Sequence, residues 1–447
     1  MTRRLIVTIL RLALRVYFRR VEVAGVENVP RSSPAIFVLN HPNALVDPAF
    51  LLCLAPRRVS FLAKAPLFST PVLKFFVRAL DSLPVYRRQD EGENPVRNRE
   101  TFAAAGMLLA KGGTIGICPE GVSHNDPKLR PIKTGTARIA LGAVSSGEVR
   151  DLKIIPAGLY YTSKTAFRSS ALLYFGKPIE VTRVEVDAAG NPPRDAVRDL
   201  SQRIERALGE VVLEAEHEEA LQTITRAEKI FSSPAEEEDQ DSLAEELQLQ
   251  QRFVRAYAIL RQRAPQRLHR LEVRLSRFEE ELRQAGFDPD DLSPPVSTLA
   301  VVSHLITRCC LFILLLGPAV LGTTIHYPAY RLGEYFSTRF SQDSEDVVST
   351  IKIISALLLF PVTWIAAAFT AYERLGWLAA LFALLLLPGS GYVAIRFFEE
   401  LDKFLGGLRA LAFFLTRRRF FVRLLAERNA IRGEILALGD EAATATQ

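Results

Sequence analysis

A histidine and an aspartate stand close together in Asn40-His41-Pro42-Asn43-Ala44-Leu45-Val46-Asp47-Pro48. Histidine takes and returns a proton near neutral pH. A nearby carboxylate fixes its tautomer and stabilises the imidazolium. Together they make a general base able to deprotonate a hydroxyl. The pair alone is equally what a loop histidine followed by an N-capping aspartate looks like, so other polar groups must support it. Arg87 and Arg88 follow Leu83-Pro84-Val85-Tyr86, and a guanidinium beyond a strand end offers phosphate a planar fork. Cys118-Pro119-Glu120-Gly121-Val122-Ser123-His124 puts an acceptor carboxylate next to a glycine turn. Lys133-Thr134-Gly135 opens a helical stretch, and a helix N-terminus with a lysine favours an anion.

These groups need a sheet to hold them. His41 follows the apolar run Ala35-Ile36-Phe37-Val38-Leu39, which reads as a buried strand. Further strands are expected at Val59–Ala63, Leu83–Tyr86, Thr114–Cys118, Lys153–Tyr160 and Ala171–Phe175. Helical patterns lie between them, at Arg97–Ala110 and Thr134–Val144. Strands alternating with helices predict an α/β domain over residues 21–215, a mixed sheet flanked by helices. Side chains at strand ends are where such domains keep their chemistry.

The chain has 447 residues, more than one ordinary core needs. It carries 56 Lys+Arg against 50 Asp+Glu. The basic residues are mostly arginine and accompany apolar segments, with no nucleic-acid motif, so nucleic acid is not an expected partner. Cys53, Cys118, Cys309 and Cys310 show no metal-ligand spacing, and no metal site is expected. Residues 1–20 alternate arginine with apolar positions, as a basic amphipathic helix in a membrane interface does. Residues 216–295 read as an acidic linker, Glu236 to Asp241, followed by a helical hairpin broken near Pro265.

Residues 296–400 contain three apolar segments. Cys309–Ile325 has no charge, Ile353–Tyr372 is charge-free for 20 residues and Leu375–Ile395 for 21. A bilayer crossing takes roughly 20 residues. Pro318, Pro361 and Pro388 predict kinks. Residues 401–447 form a basic amphipathic tail, whose piece Phe404–Leu415 is too short to span. Basic residues at both ends argue for the cytoplasmic side, whereas three spans would put the ends on opposite sides.

Taken in order, the blocks resemble the glycerolipid acyltransferase family, the PlsC-like fold, over roughly residues 30–180. The counterparts are His41 and Asp47, Arg87, Glu120 with Gly121, and the strand around Pro156; Lys64 matches a basic position between the first two blocks. Five residues rather than four separate His41 from Asp47, and Asp81 replaces the usual glycine at the start of the second block. The longer spacing, the run Pro119 to Pro127 and the multi-span C-terminus are similar to the glycerol-3-phosphate/dihydroxyacetone-phosphate branch.

The resemblance implies an O-acyltransferase of phospholipid synthesis that moves a fatty acyl group from acyl-CoA or acyl carrier protein to the sn-1 hydroxyl of glycerol-3-phosphate. His41 would be the base, Asp47 its partner, and Arg87, Arg88, Glu120, Gly121, Ser123, Lys133 and Lys64 the acceptor site. No cofactor is implied. It also implies an integral protein of the inner (cytoplasmic) membrane with its catalytic domain on the cytoplasmic face. Lysophosphatidate and dihydroxyacetone phosphate are alternative acceptors. Two readings of other classes compete: a metal-dependent hydrolase using His41, Asp47, Glu120, His124 and Asp126, and a silent lipid-binding scaffold.

Overall fold

The computed structural model describes residues 2–87, 97–188, 190–231, 242–286, 298–341 and 344–444. The strands are β1 (Arg20–Ala24), β2 (Ala35–Leu39), β3 (Val59–Lys64), β4 (Leu83–Val85), β5 (Thr114–Ile117), β6 (Lys153–Tyr161), β7 (Ser170–Phe175) and β8 (Ile179–Glu180). The helices of the first part are α1 (Thr2–Tyr17), α2 (Val46–Leu54), α3 (Pro71–Ala79), α4 (Asn98–Ala110), α5 (Gly135–Ser145) and α6 (Arg194–Gly209). Then follow α7 (Glu218–Phe231), α8 (Leu243–Arg263), α9 (Pro265–Ala285), α10 (Thr298–Phe340), α11 (Glu345–Leu375), α12 (Trp377–Thr416) and α13 (Arg418–Thr444). Two units result, one of residues 1–214 with 337–353, the other of residues 215–336 with 354–447.

In the first unit the strands run in the order β1-β7-β6-β2-β5-β3-β4, with β8 on β6. The sheet is mixed: β2 is parallel to both β5 and β6, while β6 and β7 are antiparallel. Every residue of β2 is buried, as a central strand covered on both faces requires. The chain leaves β2 for β3, β4 and β5 on one side and returns to β6 and β7 on the other. The C-terminal end of β2 is therefore the point where the strand order reverses, the place in an open α/β sheet where ligands bind. Asn40 extends the pairing there, its side chain accepting from Leu159 N at 2.7 Å and donating to Leu159 O at 2.9 Å.

Two strands escape the hydrophobic pattern. In β1, Arg20-Val21-Glu22-Val23-Ala24 is half-buried along its length, and β8 has only two residues. The N-terminal helix buries Ile6, Leu14 and Tyr17 and turns Leu5 and Leu12 outward, each 62% exposed. Its Arg3 donates to Val59 O at 2.6 Å and Arg11 Nε to Cys53 O at 3.2 Å, so two of its arginines serve the domain rather than solvent.

In the second unit, α7, α8, α9 and α13 share one core. Phe421, Leu424, Ile431, Ile435 and Leu438 of α13 are buried in it. The basic tail expected over 401–447 thus supplies a bundle helix, because its apolar residues recur at helical spacing beneath the arginines. Arg274 of α9 pairs with Glu427 and Glu434 of α13, both at 2.7 Å. The acidic run 236–241 lies outside the described residues.

Helices α10, α11 and α12 are long and apolar enough to cross a membrane. They run unbroken through Pro318, Pro328, Pro361 and Pro388. The piece Phe404–Leu415, too short to span by itself, is the continuous end of the 40-residue α12. The prolines are tolerated because neighbouring groups can satisfy freed carbonyls in an apolar bundle.

Candidate active site

The turn after β2 carries His41 and enters α2 with Asp47 in its first turn. His41 Nδ1 lies 2.9 Å from Asp47 Oδ2. The same oxygen accepts from Asn43 N at 2.7 Å, and Oδ1 accepts from Tyr161 O–H at 2.7 Å. Asp47 is fully buried, and the His41 side chain keeps 18% of its surface exposed. Three donors thus converge on one buried carboxylate. It therefore takes the proton on Nδ1 as a hydrogen bond and leaves Nε2 as the free base.

The imidazole is raised well above its ordinary 6.5: burial alone would push it down, and Cys118 and Asp47 outweigh that. Tyr161 is held well above 10 by burial and by the Asp47 carboxylate, so its proton stays on the bond to Asp47. The Tyr161 ring is set in an aromatic cluster, edge-on to Phe50 and tilted against Phe18, each at 5.7 Å between ring centres.

The loop after β5 closes on the dyad. Glu120 Oε1 accepts from His41 N at 3.1 Å, and His124 N donates to His41 O at 3.1 Å. Glu120 Oε2 accepts from Arg130 N at 2.8 Å and pairs with His124 Nε2. His124 Nδ1 accepts from Asp126 N at 3.2 Å, which puts the histidine proton on the Nε2 facing Glu120. Asp126 pairs with Arg130 at 2.6 Å, a bond that holds its carboxyl below the usual range.

Glu120 was expected in the acceptor site. Its side chain is fully buried and its oxygens are taken up by two main-chain amides and His124, so it braces the loops. The Ser123 hydroxyl, also expected in that site, donates to Asp346. Among the described residues, no three His, Cys, Asp or Glu side chains gather as a metal site.

The cationic groups cluster at Gly121. Arg87 Nη1 donates to Gly121 O at 2.6 Å. Gly121 has φ +75°, and a Cβ there would stand 2.5 Å from Lys133 Nζ, so the lysine lies directly over the glycine. Lys133 N donates to Pro119 O at 2.8 Å, which ties the helix start to the same turn. Lys64 is exposed at the end of β3, opposite Val85. Arg88 lies outside the described residues.

Sequence reading missed Tyr161 and Asn43, two of the three donors to Asp47. It also missed the buried Asn43 amide oxygen, which has no hydrogen-bond partner among the described residues. The apolar run of β6 hid Tyr161; only its hydroxyl distinguishes it from a core aromatic.

A parallel-centred sheet with a His–Asp pair at its switch point and cations at the next strand ends defines a PlsC-like acyltransferase domain. Residues 20–160 match the family model described as Acyltransferase. Residues 224–443 match that described as the glycerol-3-phosphate acyltransferase 2 C-terminal domain. Two parts of the chain thus match an acyltransferase model and a glycerol-3-phosphate acyltransferase C-terminal model, in line with the resemblance its motifs carry.

It is 26% identical over 284 residues to glycerol-3-phosphate O-acyltransferase 2 of Saccharomyces cerevisiae, covering 60% of this chain and 38% of that protein. It is 36% identical over 125 residues to glycerol-3-phosphate O-acyltransferase 1 of the same yeast, covering 28% of this chain and 16% of that protein. The chain therefore spans less than two thirds of the length of these relatives. The crystal structure of the 1-acyl-sn-glycerophosphate acyltransferase PlsC from Thermotoga maritima superposes with a TM-score of 0.33 at 20% identity, covering 46% of this chain and 80% of that one.

Proposed function

We infer that this chain is a membrane-bound O-acyltransferase that moves a fatty acyl group from an acyl thioester to the sn-1 hydroxyl of glycerol-3-phosphate. The observation that carries the reading is the His41–Asp47 pair, 2.9 Å apart, with its carboxylate buried and its Nε2 left as the base. His41 takes the proton of the glycerol hydroxyl as the oxygen attacks the thioester carbonyl. The tetrahedral intermediate then collapses, the C–S bond breaks, and the thiolate leaves with the proton that His41 returns. Asp47 stabilises the imidazolium throughout. The reaction balances with no cofactor; the acyl donor, acyl-CoA or acyl carrier protein, is a co-substrate.

Arg87 and Lys133, converging on Gly121, bind the acceptor phosphate, with Lys64 and Arg88 as further cations of the acceptor site. The exposed Leu5 and Leu12 of α1 support an interfacial helix on an acyltransferase domain of residues 21–215. Three apolar helices suit a lipid-soluble acyl chain and product. The catalytic domain faces the cytoplasmic side of the inner membrane, where water-soluble acceptor and donor reside.

Labelled-acyl transfer by membranes carrying wild type or His41→Ala tests this, with glycerol-3-phosphate, dihydroxyacetone phosphate and lysophosphatidate offered separately. Transfer to glycerol-3-phosphate that His41→Ala abolishes supports the reading. Transfer to lysophosphatidate alone moves the protein to the following acylation step. Equal transfer by both proteins removes His41 as the base.

A further inference from the structure

Residues 337–353 belong to the same unit as the sheet, although they join α10 to α11, some three hundred residues from the dyad. The first two turns of α11 reach three loops at the catalytic end of the sheet. Thr350 Oγ1 accepts from Leu45 N at 3.2 Å, inside the His41–Asp47 turn. Asp346 accepts from Ser123, next to His124, whose amide donates to His41 O. Glu345 Oε2 accepts from Asn125 Nδ2 at 3.3 Å. Ser349 donates to Lys164 O, the same carbonyl that Asn43 Nδ2 reaches at 3.3 Å, and lies 2.9 Å from the Tyr17 hydroxyl.

Ser349 is 0% and Asp346 6% exposed, whereas the Leu45–Thr350 and Asn125–Glu345 bonds lie at the surface. They are also matched to a local need. Leu45 is the N-cap of α2, its side chain offers no cap, and Ala44 before it is held at φ +33°. A main-chain donor at a helix start seeks an acceptor, and Thr350 supplies one. Two arms thus grip the main chain around His41: Thr350 through Leu45 on the Asp47 side, and Asp346 through Ser123 and His124 on the carbonyl side.

We propose that the start of α11 is a clasp that sets the geometry of the His41–Asp47 dyad, with Asp346 and Thr350 as its positioning residues. The proposal rests on the reading of that dyad as the acyl-transfer base. The clasp touches no substrate. Its loss lets the turn drift, and a displacement of about 1 Å at a reacting group costs up to about a hundredfold in rate.

The test uses the full chain in lipid nanodiscs, with labelled-acyl transfer to glycerol-3-phosphate followed across pH. Thr350→Val and Asp346→Asn are expected to lower kcat about tenfold to a hundredfold. The KM for glycerol-3-phosphate should hold, and the acid limb of kcat/KM should move to lower pH as the pair loosens. Thr350→Ser, which keeps the hydroxyl, should restore both. Amide exchange of the 41–47 segment should quicken in Thr350→Val and not in Thr350→Ser.

If both variants keep wild-type kcat and pH profile while His41→Ala is inactive, the clasp is refuted and the dyad stands. If wild type and His41→Ala transfer equally, the dyad reading fails and takes the clasp with it. A variant that has lost its fold, seen as a lost melting transition, overturns positioning in favour of a purely structural role.

Discussion

Asp47→Asn separates charge from geometry in the candidate dyad. Two donors converge on Oδ2, the Asn43 amide at 2.7 Å and His41 Nδ1 at 2.9 Å, whereas Oδ1 faces one hydroxyl, that of Tyr161. An asparagine places its oxygen where the two donors meet and turns its NH2 toward the Tyr161 oxygen, which can accept. The opposite orientation would set an NH2 against two donors. The substitution therefore preserves the ring position and its tautomer and removes only the negative charge.

With the charge centres roughly 4 Å apart, the lost attraction for the imidazolium is about 4 kcal/mol at an effective dielectric constant of about 20. At about 1.4 kcal/mol per tenfold, kcat should fall about a thousandfold. The pH profile gives a second, independent readout. Wild-type kcat/KM should rise through a midpoint above 6.5, because the base must be neutral and its imidazole is raised. Without the Asp47 charge the imidazole falls, so the acid limb should move to lower pH while the plateau drops. Acyl transfer to glycerol-3-phosphate from pH 5 to 9 measures both. A plateau loss under tenfold, or a limb that stays put or moves up, would refute this account of the dyad.

Three other perturbations separate the parts of the molecule. Tyr161→Phe leaves the buried Asp47 carboxylate one donor short and should lower stability by about 1.5–3 kcal/mol, read as a drop in melting temperature. Activity should survive better than in Asp47→Asn, since the charge remains. Gly121→Ala forces a side chain onto φ +75° and into Lys133 Nζ, at a backbone cost of about 1–3 kcal/mol. It should raise KM for glycerol-3-phosphate and leave KM for the acyl donor unchanged; an unchanged acceptor KM would remove Lys133 from the phosphate site. His326 donates Nδ1–H to Gly322 O at 2.7 Å and accepts from Trp364 Nε1 at 2.7 Å, a polar lock among the apolar helices. His326→Ala should cost about 0.6–2 kcal/mol of stability in detergent and leave the pH profile of acyl transfer as it is.

The sheet was legible because its strands are short apolar runs punctuated by turn residues: Ala35–Leu39 is buried at every position. His41, Asp47 and the Pro119-Glu120-Gly121 turn were legible because reactive residue types stand at fixed spacings along the chain. The directions of the side chains were not. Glu120 has the composition of a substrate ligand, yet folding turns it onto the main chain of His41, because a loop that must close over a strand end needs its amides satisfied. Tyr161 meets Asp47 across 114 residues of sequence, and Thr350 meets Leu45 across 305. Neither bond leaves a local signature, since a tyrosine in an apolar strand and a threonine in an apolar helix look like ordinary packing.

The spacing of the dyad and the start of α11 therefore bear on one another. In the turn between His41 and Asp47, Ala44 is held at positive φ, and the Leu45 amide that follows donates to Thr350. A non-glycine residue in that region persists only where its surroundings over-determine it. Here those surroundings include Thr350, which accepts from Leu45, and Ser349, which shares the Lys164 carbonyl with Asn43. The same Asn43 gives its main-chain amide to Asp47. The hydrogen bonds that hold the Asp47 carboxylate thus continue without a gap into α11, and a helix begun for its apolar length also carries, in its first two turns, the polar residues that complete the dyad loop.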